Sequence, residues 1–233
     1  MTEPVSPSVG WGVVHLFCQP GPLLDGEAVR AAVKETLETG HQVVPVAILG
    51  HKADLAFMAL GPDLRQLRRF QTALQAAGLT VVDSYVSLTE VSEYAKGMPE
   101  QMLNARLYPS IPPRFDGGAY AGTVMDAWCF YPMSKRREGH ANWFTLPYEQ
   151  RNDLMQEHGT SGRKFAGRVV QYITGSAGLD DYEWGVTLFA VHTDDLKEVV
   201  YTMRFDEASA VYAEFGPFYT GIVTPVEELV GSV

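Results

Sequence analysis

The sequence predicts an α+β fold built as two similar units, and three observations carry the prediction. Over residues 12–86, strand-like and helix-like stretches follow the order β, α, β, β, α, β. A Pro- and Gly-rich connector follows at 97–121, and a comparable alternation resumes beyond it. The chain has 233 residues, 46% hydrophobic and 20% charged, which is enough to bury a substantial core.

Each element has a local reason. The first eleven residues read as a loose arm, and Gly12 to Cys18 is a short β-rich run. Gly26 to Glu38 places Ala28, Val29, Ala32, Val33 and Leu37 at helical spacing, with Gly40 as a stop. Val43 to Leu49 and Ala53 to Leu60 are apolar runs joined by Gly50-His51-Lys52, which reads as a hairpin. Asp63 to Ala77 repeats Leu64, Leu67, Phe70 and Leu74 on one face, Gly78 ends it, and Thr80 to Val86 is a strand. That order is the ferredoxin-like pattern, in which two helices pack on one face of an antiparallel sheet.

Glu90 to Lys96 reads as a short closing helix, and the connector holds Tyr108-Pro109, Pro112-Pro113 and Gly117-Gly118. Beyond it, Ala127 to Tyr131 is a strand, Pro147 to His158 a helix stopped by Gly159, and Gly162 to Ile173 a second helix. Glu183 to Val191 alternates like a strand, Asp194 to Met203 is a helix, and Ala208 to Val223 holds the last strand or strands. The expected division is residues 1–98, a connector at 99–126, and 127–233. The duplication rests on element order alone, since no sequence repeat accompanies it.

Charge narrows the function. With 18 Lys+Arg against 28 Asp+Glu, the net charge of -10 argues against nucleic acid or an anionic membrane as partner. No apolar run reaches the roughly 18 residues of a membrane span. The opening MTEPVSPSVG has neither a basic region nor an apolar signal core, so a cytoplasmic location is expected. Cys18 and Cys129 form no CxxC and read as reduced, buried residues. Yet nine of the eighteen cations fall between Arg106 and Arg168, against six acids. A locally basic segment in an acidic chain suits a compact anion.

None of the six histidines forms HxH, HExxH or a Cys/His cluster, which argues against a dedicated zinc site. One histidine can still be an axial haem ligand, because the porphyrin supplies the other four donors. His158, at the end of an amphipathic helix, is the best placed. The plain alternative is a helix-terminal charge and nothing more. Lys135-Arg136-Arg137 is either a solvated loop or a cationic rim over whatever the strand ending Phe130-Tyr131-Pro132-Met133 faces. Tyr131 is either a core aromatic or a redox group beside a cofactor.

Several segments resemble one family. ARLYPSIPP (Ala105 to Pro113), CFYPMSKRR (Cys129 to Arg137), NWFTLP (Asn142 to Pro147), EHG (Glu157 to Gly159), QYITGSAGLDDYEWGVTLF (Gln171 to Phe189) and VVYTMRFDEASAVYAEFGPFYTG (Val199 to Gly221) look like the coproheme decarboxylases of the chlorite-dismutase-like superfamily. GWGVVHLF, GHKADLAFMAL and YVSLTEVSEY extend the resemblance more weakly into the first half. It implies a dimeric α+β barrel of duplicated ferredoxin-like units that assembles as a homopentamer. The implied reaction is hydrogen-peroxide-dependent decarboxylation of Fe-coproporphyrin III (coproheme), turning two propionates into vinyls to give haem b. A transient contact with the coproporphyrin ferrochelatase is also implied.

By position, the resemblance makes His158 the iron ligand and Tyr131 the residue oxidised to a tyrosyl radical, with Lys135 assisting catalysis. Arg106, Lys135 and Ser209 match propionate-binding positions, Gln171 matches the distal glutamine, and Met133, Ser134 and Trp143 would lie near the porphyrin. The chain departs from the pattern by about ten extra residues between Arg106 and Tyr131, in the run RFDGGAYAGTVMDA. A chlorite dismutase would need a distal arginine where this chain has Gln171. A haem-binding or haem-transfer protein without turnover is the other alternative, and a carrier has no use for an oxidisable phenol at Tyr131.

Overall fold

The computed structural model describes residues 3–95, 97–114 and 120–231. Its first half runs β1 (Gly12–Pro20), α1 (Gly26–Glu38), β2 (Gln42–Ile48), β3 (Leu55–Gly61), α2 (Leu64–Ala76) and β4 (Leu79–Thr89). Both helices start on an aspartate, as α1 and α2 are capped by Asp25 and Asp63, whose carboxylates accept from Ala28 N at 3.0 Å and Arg65 N at 2.9 Å. The strands lie in the order β2-β3-β1-β4, all antiparallel.

After α3 (Glu100–Leu107), the second half contains β5 (Ala127–Lys135), a small hairpin of β6 (Arg137–Glu138) and β7 (Ala141–Asn142), α4 (Tyr148–Arg163), β8 (Val169–Gly175) and β9 (Trp184–Ala190). It ends with α5 (Thr193–Met203), α6 (Glu207–Ala210), β10 (Ala213–Phe215), β11 (Tyr219–Val223) and α7 (Val226–Leu229). Here the order is β8-β9-β5-β11, which repeats the topology of the first half element for element. The halves join where β11 meets β2 and where β4 meets β8, closing eight strands into a barrel, with β10 added beside β5.

Alternation sorts side chains into layers. His15, Phe17, Trp128, Phe130, Phe189 and Tyr219 fill the barrel. Outside the first half, Leu16, Phe57, Leu67, Phe70 and Leu74 form a dense apolar layer under α1 and α2. Outside the second half, Cys129, Tyr131, Val186, Leu188, Leu196 and Val199 pack more thinly under α5.

Four expectations need correction. Gly162 to Ile173 is not a helix: α4 continues through Gly159 to Arg163, the chain turns at Gly167 (φ 79°), and Val169–Gly175 is a strand. A glycine costs a helix only about 1 kcal/mol, so Gly159 is tolerated, whereas β-branched and aromatic Val169, Val170, Tyr172 and Ile173 favour a pleated surface. His158 is therefore inside a helix and not at its end. Glu90 to Ala95 is turn and coil, Lys96 lies outside the described residues, and the helix of this region is α3. The arm is not loose: Val5 N donates to Asp63 Oδ1 at 3.1 Å and Val5 O accepts from Leu64 N at 2.9 Å, so it caps α2. Of the extra run, Phe115 to Ala119, with Gly117-Gly118, lie outside the described residues, while Arg114 and Val124 bridge across it.

Candidate functional site

The outer face of the second half is laid out by strand register. Tyr131, Val186 and Ile173 stand in one row across β5, β9 and β8; Cys129, Leu188 and Gln171 form the next, and Met133, Trp184 and Gly175 the row beyond Tyr131. Lys135 continues this face of β5. Ser134 points to the opposite face, where its Oγ accepts from Glu183 N at 3.2 Å. The strand thus brings Tyr131, Met133 and Lys135 together with Gln171 and sets Ser134 apart.

This platform is only partly roofed. Sixteen residues of α4 bury just Leu154, and Ile173 on the outer face of β8 stays 46% exposed. Tyr131 is buried, its ring stacked on Phe218 at 4.4 Å and tilted against Phe215 at 5.8 Å. Burial pushes its phenol well above the ordinary tyrosine range, so it is neutral. No hydrogen bond holds the Tyr131 hydroxyl among the described residues.

Helix α4 carries His158, which is tied to α6. Its Nδ1 lies 3.0 Å from Asp206 Oδ2 and 3.3 Å from Ser209 Oγ. Asp206 is the N-cap of α6 and accepts from Ser209 N at 2.9 Å through Oδ1. Burial alone would raise its carboxyl, but hydrogen bonds and charge from His158, with the bonds from Ser209, hold it below the usual carboxylate range. An ionised Asp206 makes Nδ1 the donor, which leaves Nε2 with its lone pair free, the arrangement a metal-ligating imidazole requires. Among the described residues no group of three or more His, Cys, Asp or Glu side chains could hold a metal unaided. The donor set fits an iron that arrives already held by a porphyrin.

Lys135 links the two walls. Its Nζ donates to Ala208 O at 2.6 Å and lies 4.3 Å from the centre of the Trp143 ring. Burial pulls its pKa down to about 8, against the opposing charges of Asp206 and Glu183. Trp143 is buried edge-on against Tyr212. Ser209 sits behind His158 in contact with its ring, and Arg106 is exposed in the last turn of α3. A cavity of about 290 Å³ between α4 and α5 touches Asp206, Glu157, Lys164 and Phe205 but none of Tyr131, Lys135 or Gln171.

Two features escaped the sequence reading. Asp206 is 48 positions from His158, and only the N-cap pattern Asp206-x-x-Ser209 marks it locally. Glu90, from the first half, reaches the rim of the platform and accepts from Trp184 Nε1 at 3.0 Å. It lies against Gly175, where a Cβ would come within 2.2 Å of its carboxylate. The segment after it crosses to α4, where Arg151 Nε donates to Tyr94 Oη at 3.0 Å and Tyr148 Oη to Glu93 O at 3.2 Å.

Comparison with known proteins places this geometry. The family described as chlorite dismutase matches residues 26–224. A coproheme decarboxylase of Staphylococcus carnosus is 44% identical over 192 residues, which are 78% of this chain and 73% of that protein. A longer protein of Natronomonas pharaonis is 38% identical over 255 residues; the match covers 94% of this chain but only 40% of that one. Among solved structures, a heme-binding protein from Thermus thermophilus is 35% identical with a TM-score of 0.82, covering 99% of both chains. A mutant chlorite dismutase from Candidatus Nitrospira defluvii shares the fold at 21% identity, with a TM-score of 0.74 over 97% of this chain and 96% of that one.

Proposed function

The chain belongs to the chlorite dismutase family, and we propose that within it this protein decarboxylates Fe-coproporphyrin III with hydrogen peroxide to give haem b. The observation that carries the reading is that β5, which holds the buried phenol, is joined through Lys135 and α6 to a carboxylate-oriented histidine on α4. Likeness to a coproheme decarboxylase and to a heme-binding protein supports the same ligand class.

Each residue has a task that its surroundings suit. Asp206 holds the Nδ1 proton of His158, so Nε2 is the ligand atom for the substrate iron and is made more basic by the carboxylate behind it. Bound in this way, the iron porphyrin supplies the reaction with peroxide that generates oxidising equivalents. Tyr131, neutral because it is buried, gives up an electron and a proton together and, as a phenoxyl radical, takes hydrogen from the propionate carbon. Lys135, with a pKa near 8, attracts a propionate in its protonated form and can release a proton at neutral to mildly basic pH. Gln171 presents an amide to the platform and cannot serve as a base. Each propionate loses carbon dioxide and two hydrogen atoms, and one hydrogen peroxide takes up those hydrogens to become two waters.

The test is reconstitution of the pure protein with ferric coproheme, followed by peroxide titration and mass spectrometry of the porphyrin. Two successive losses, each of one carbon dioxide and two hydrogens, are expected. Stable binding with no mass change would overturn decarboxylation and leave a heme-binding protein, the activity named for the Thermus thermophilus relative.

A further inference from the structure

Tyr131 has an oxidisable neighbour on the other side of the sheet. Tyr219 of β11 pairs with Phe130, the residue before Tyr131, and follows Phe218, on which the Tyr131 ring stacks at 4.4 Å. Its own ring is buried in the barrel, stacked on Phe17 at 3.7 Å, and its hydroxyl donates to the carboxylate of Asp83. Asp83 is exposed.

The other oxidisable rings around Phe130 lack such a partner. Trp128 Nε1 is buried without a hydrogen bond, and the Tyr85 hydroxyl meets the Ser176 hydroxyl, which is no base. Oxidising a phenol in an apolar interior requires the proton to leave with the electron, because the charged ring would be severely desolvated. Lys52, whose Nζ lies 5.5 Å from the centre of the Tyr219 ring, further disfavours a positively charged ring. Tyr219 can pass its proton to Asp83, which exchanges with water; Tyr131 has no hydrogen-bonded protein acceptor among the described residues and exchanges its proton with solvent directly.

We propose that Tyr219, with Asp83 as its proton acceptor, is a second redox-active tyrosine that discharges the Tyr131 radical when no propionate is within reach. The inference rests on the decarboxylase reading for the source of that radical. One electron passes from Tyr219 to the Tyr131 phenoxyl, the phenolic proton of Tyr219 moves to Asp83, and Tyr131 recovers its proton from water. The unpaired spin then sits on a ring whose proton acceptor, Asp83, is exposed. Productive turnover is spared, because a propionate at Tyr131 competes directly for the radical.

Two arms test this. In the first, the ligand-free chain is photo-oxidised with ruthenium tris-bipyridine and a cobalt(III) quencher in the presence of a nitroso spin trap, and the adducts are mapped by peptide mass spectrometry. Labelling of buried Tyr219 is expected, several-fold lower in Asp83→Asn and absent in Tyr219→Phe. A Tyr219 left unlabelled, or labelled equally in Asp83→Asn, overturns the site whatever the ligand does. In the second, the haem b complex is exposed to excess peroxide and followed by freeze-quench EPR. A Tyr131 signal that outlives the wild-type signal in Tyr219→Phe, with unchanged decarboxylation of coproheme, supports discharge. Equal lifetimes overturn it. No tyrosyl signal in either protein overturns the radical role of Tyr131 and the discharge role together, while mass loss from coproheme still decides decarboxylation and the first arm still decides whether Tyr219 and Asp83 form a redox site.

Discussion

The two halves share a topology and use their outer faces in opposite ways. In the first, α1 buries Val29, Ala32 and Val33, and α2 buries Leu67, Phe70 and Leu74. Together they cover the sheet with a largely apolar layer, with Phe70 set edge-on to Phe57. In the second, α4 buries only Leu154, and the groups that link it through α6 to β5 are polar: His158, Asp206, Ser209 and Lys135. Burying such groups costs free energy that an apolar layer would not, so one half stabilises the barrel while the other holds the groups proposed to bind the ligand. Fold symmetry therefore does not imply functional symmetry, and the difference can be tested one face at a time.

The largest separation is expected from Tyr131→Phe. The ring contacts with Phe215 and Phe218 survive, so coproheme binding and thermal stability should stay near wild type while decarboxylation stops. Turnover at the wild-type rate would remove the radical role and much of the contrast between the halves. Phe70→Ala is the reverse experiment. Emptying a ring site that is 1% exposed should cost about 3–5 kcal/mol in denaturant unfolding, with coproheme affinity of the folded fraction unchanged. A variant that loses affinity in step with stability would show that the first half shapes the site.

How much of this was legible in the sequence follows the range of each interaction. The helices on Asp25 and Asp63 were readable, because a cap and an apolar face are local. The grouping of Tyr131, Met133 and Lys135 came from the family resemblance, because the strand reads as ending at Tyr131; alternation carried on to Lys135 would have given it and set Ser134 on the far side. The strand β8 was missed because Gly159 and Gly162 suggested helix ends, although Val169-Val170-Gln171-Tyr172-Ile173 carried the β signal. Barrel closure by β5 with β9 and by β4 with β8, the Asp206 partner of His158 and the reach of Glu90 to Trp184 join residues far apart in the chain. No local period reports them.

Lys135 supplies a smaller effect with a definite sign. Its folded pKa, pulled down to about 8 by burial, lies below the ordinary value of 10.5 for the exposed side chain. Below pH 8 both states carry the proton and the folded one bears the desolvation cost; between pH 8 and 10.5 the unfolded state alone holds it. Stability should therefore rise across that window relative to Lys135→Met, by an amount on the order of 3 kcal/mol. Urea unfolding at several pH values measures it. A parallel profile for the two proteins would place the ammonium in water. A bound propionate should flatten the rise by holding Lys135 protonated.

The smallest expected effect isolates the charge behind His158, the proposed iron ligand. Asp206→Asn keeps one acceptor, which in place of Oδ1 still takes Ser209 N and caps α6, so the fold should remain intact at neutral pH, while an amide N–H replaces Oδ2 and faces His158 Nδ1. What it removes is the negative charge that makes the imidazole a stronger donor to iron. Loss of such a partner typically weakens metal-centre affinity by about 10–100-fold, and that is the change expected for coproheme, read by Soret titration. The substitution should also alter the acid limb of stability. Because Asp206 has a depressed folded pKa, its contribution is present above the ordinary carboxylate range and disappears as pH falls through the folded value. An unaltered Soret titration together with an altered acid limb would make Asp206 a structural cap alone. The platform would then have to hold its ligand through Lys135 and its apolar rows, and the contrast between the two halves would come down to exposure.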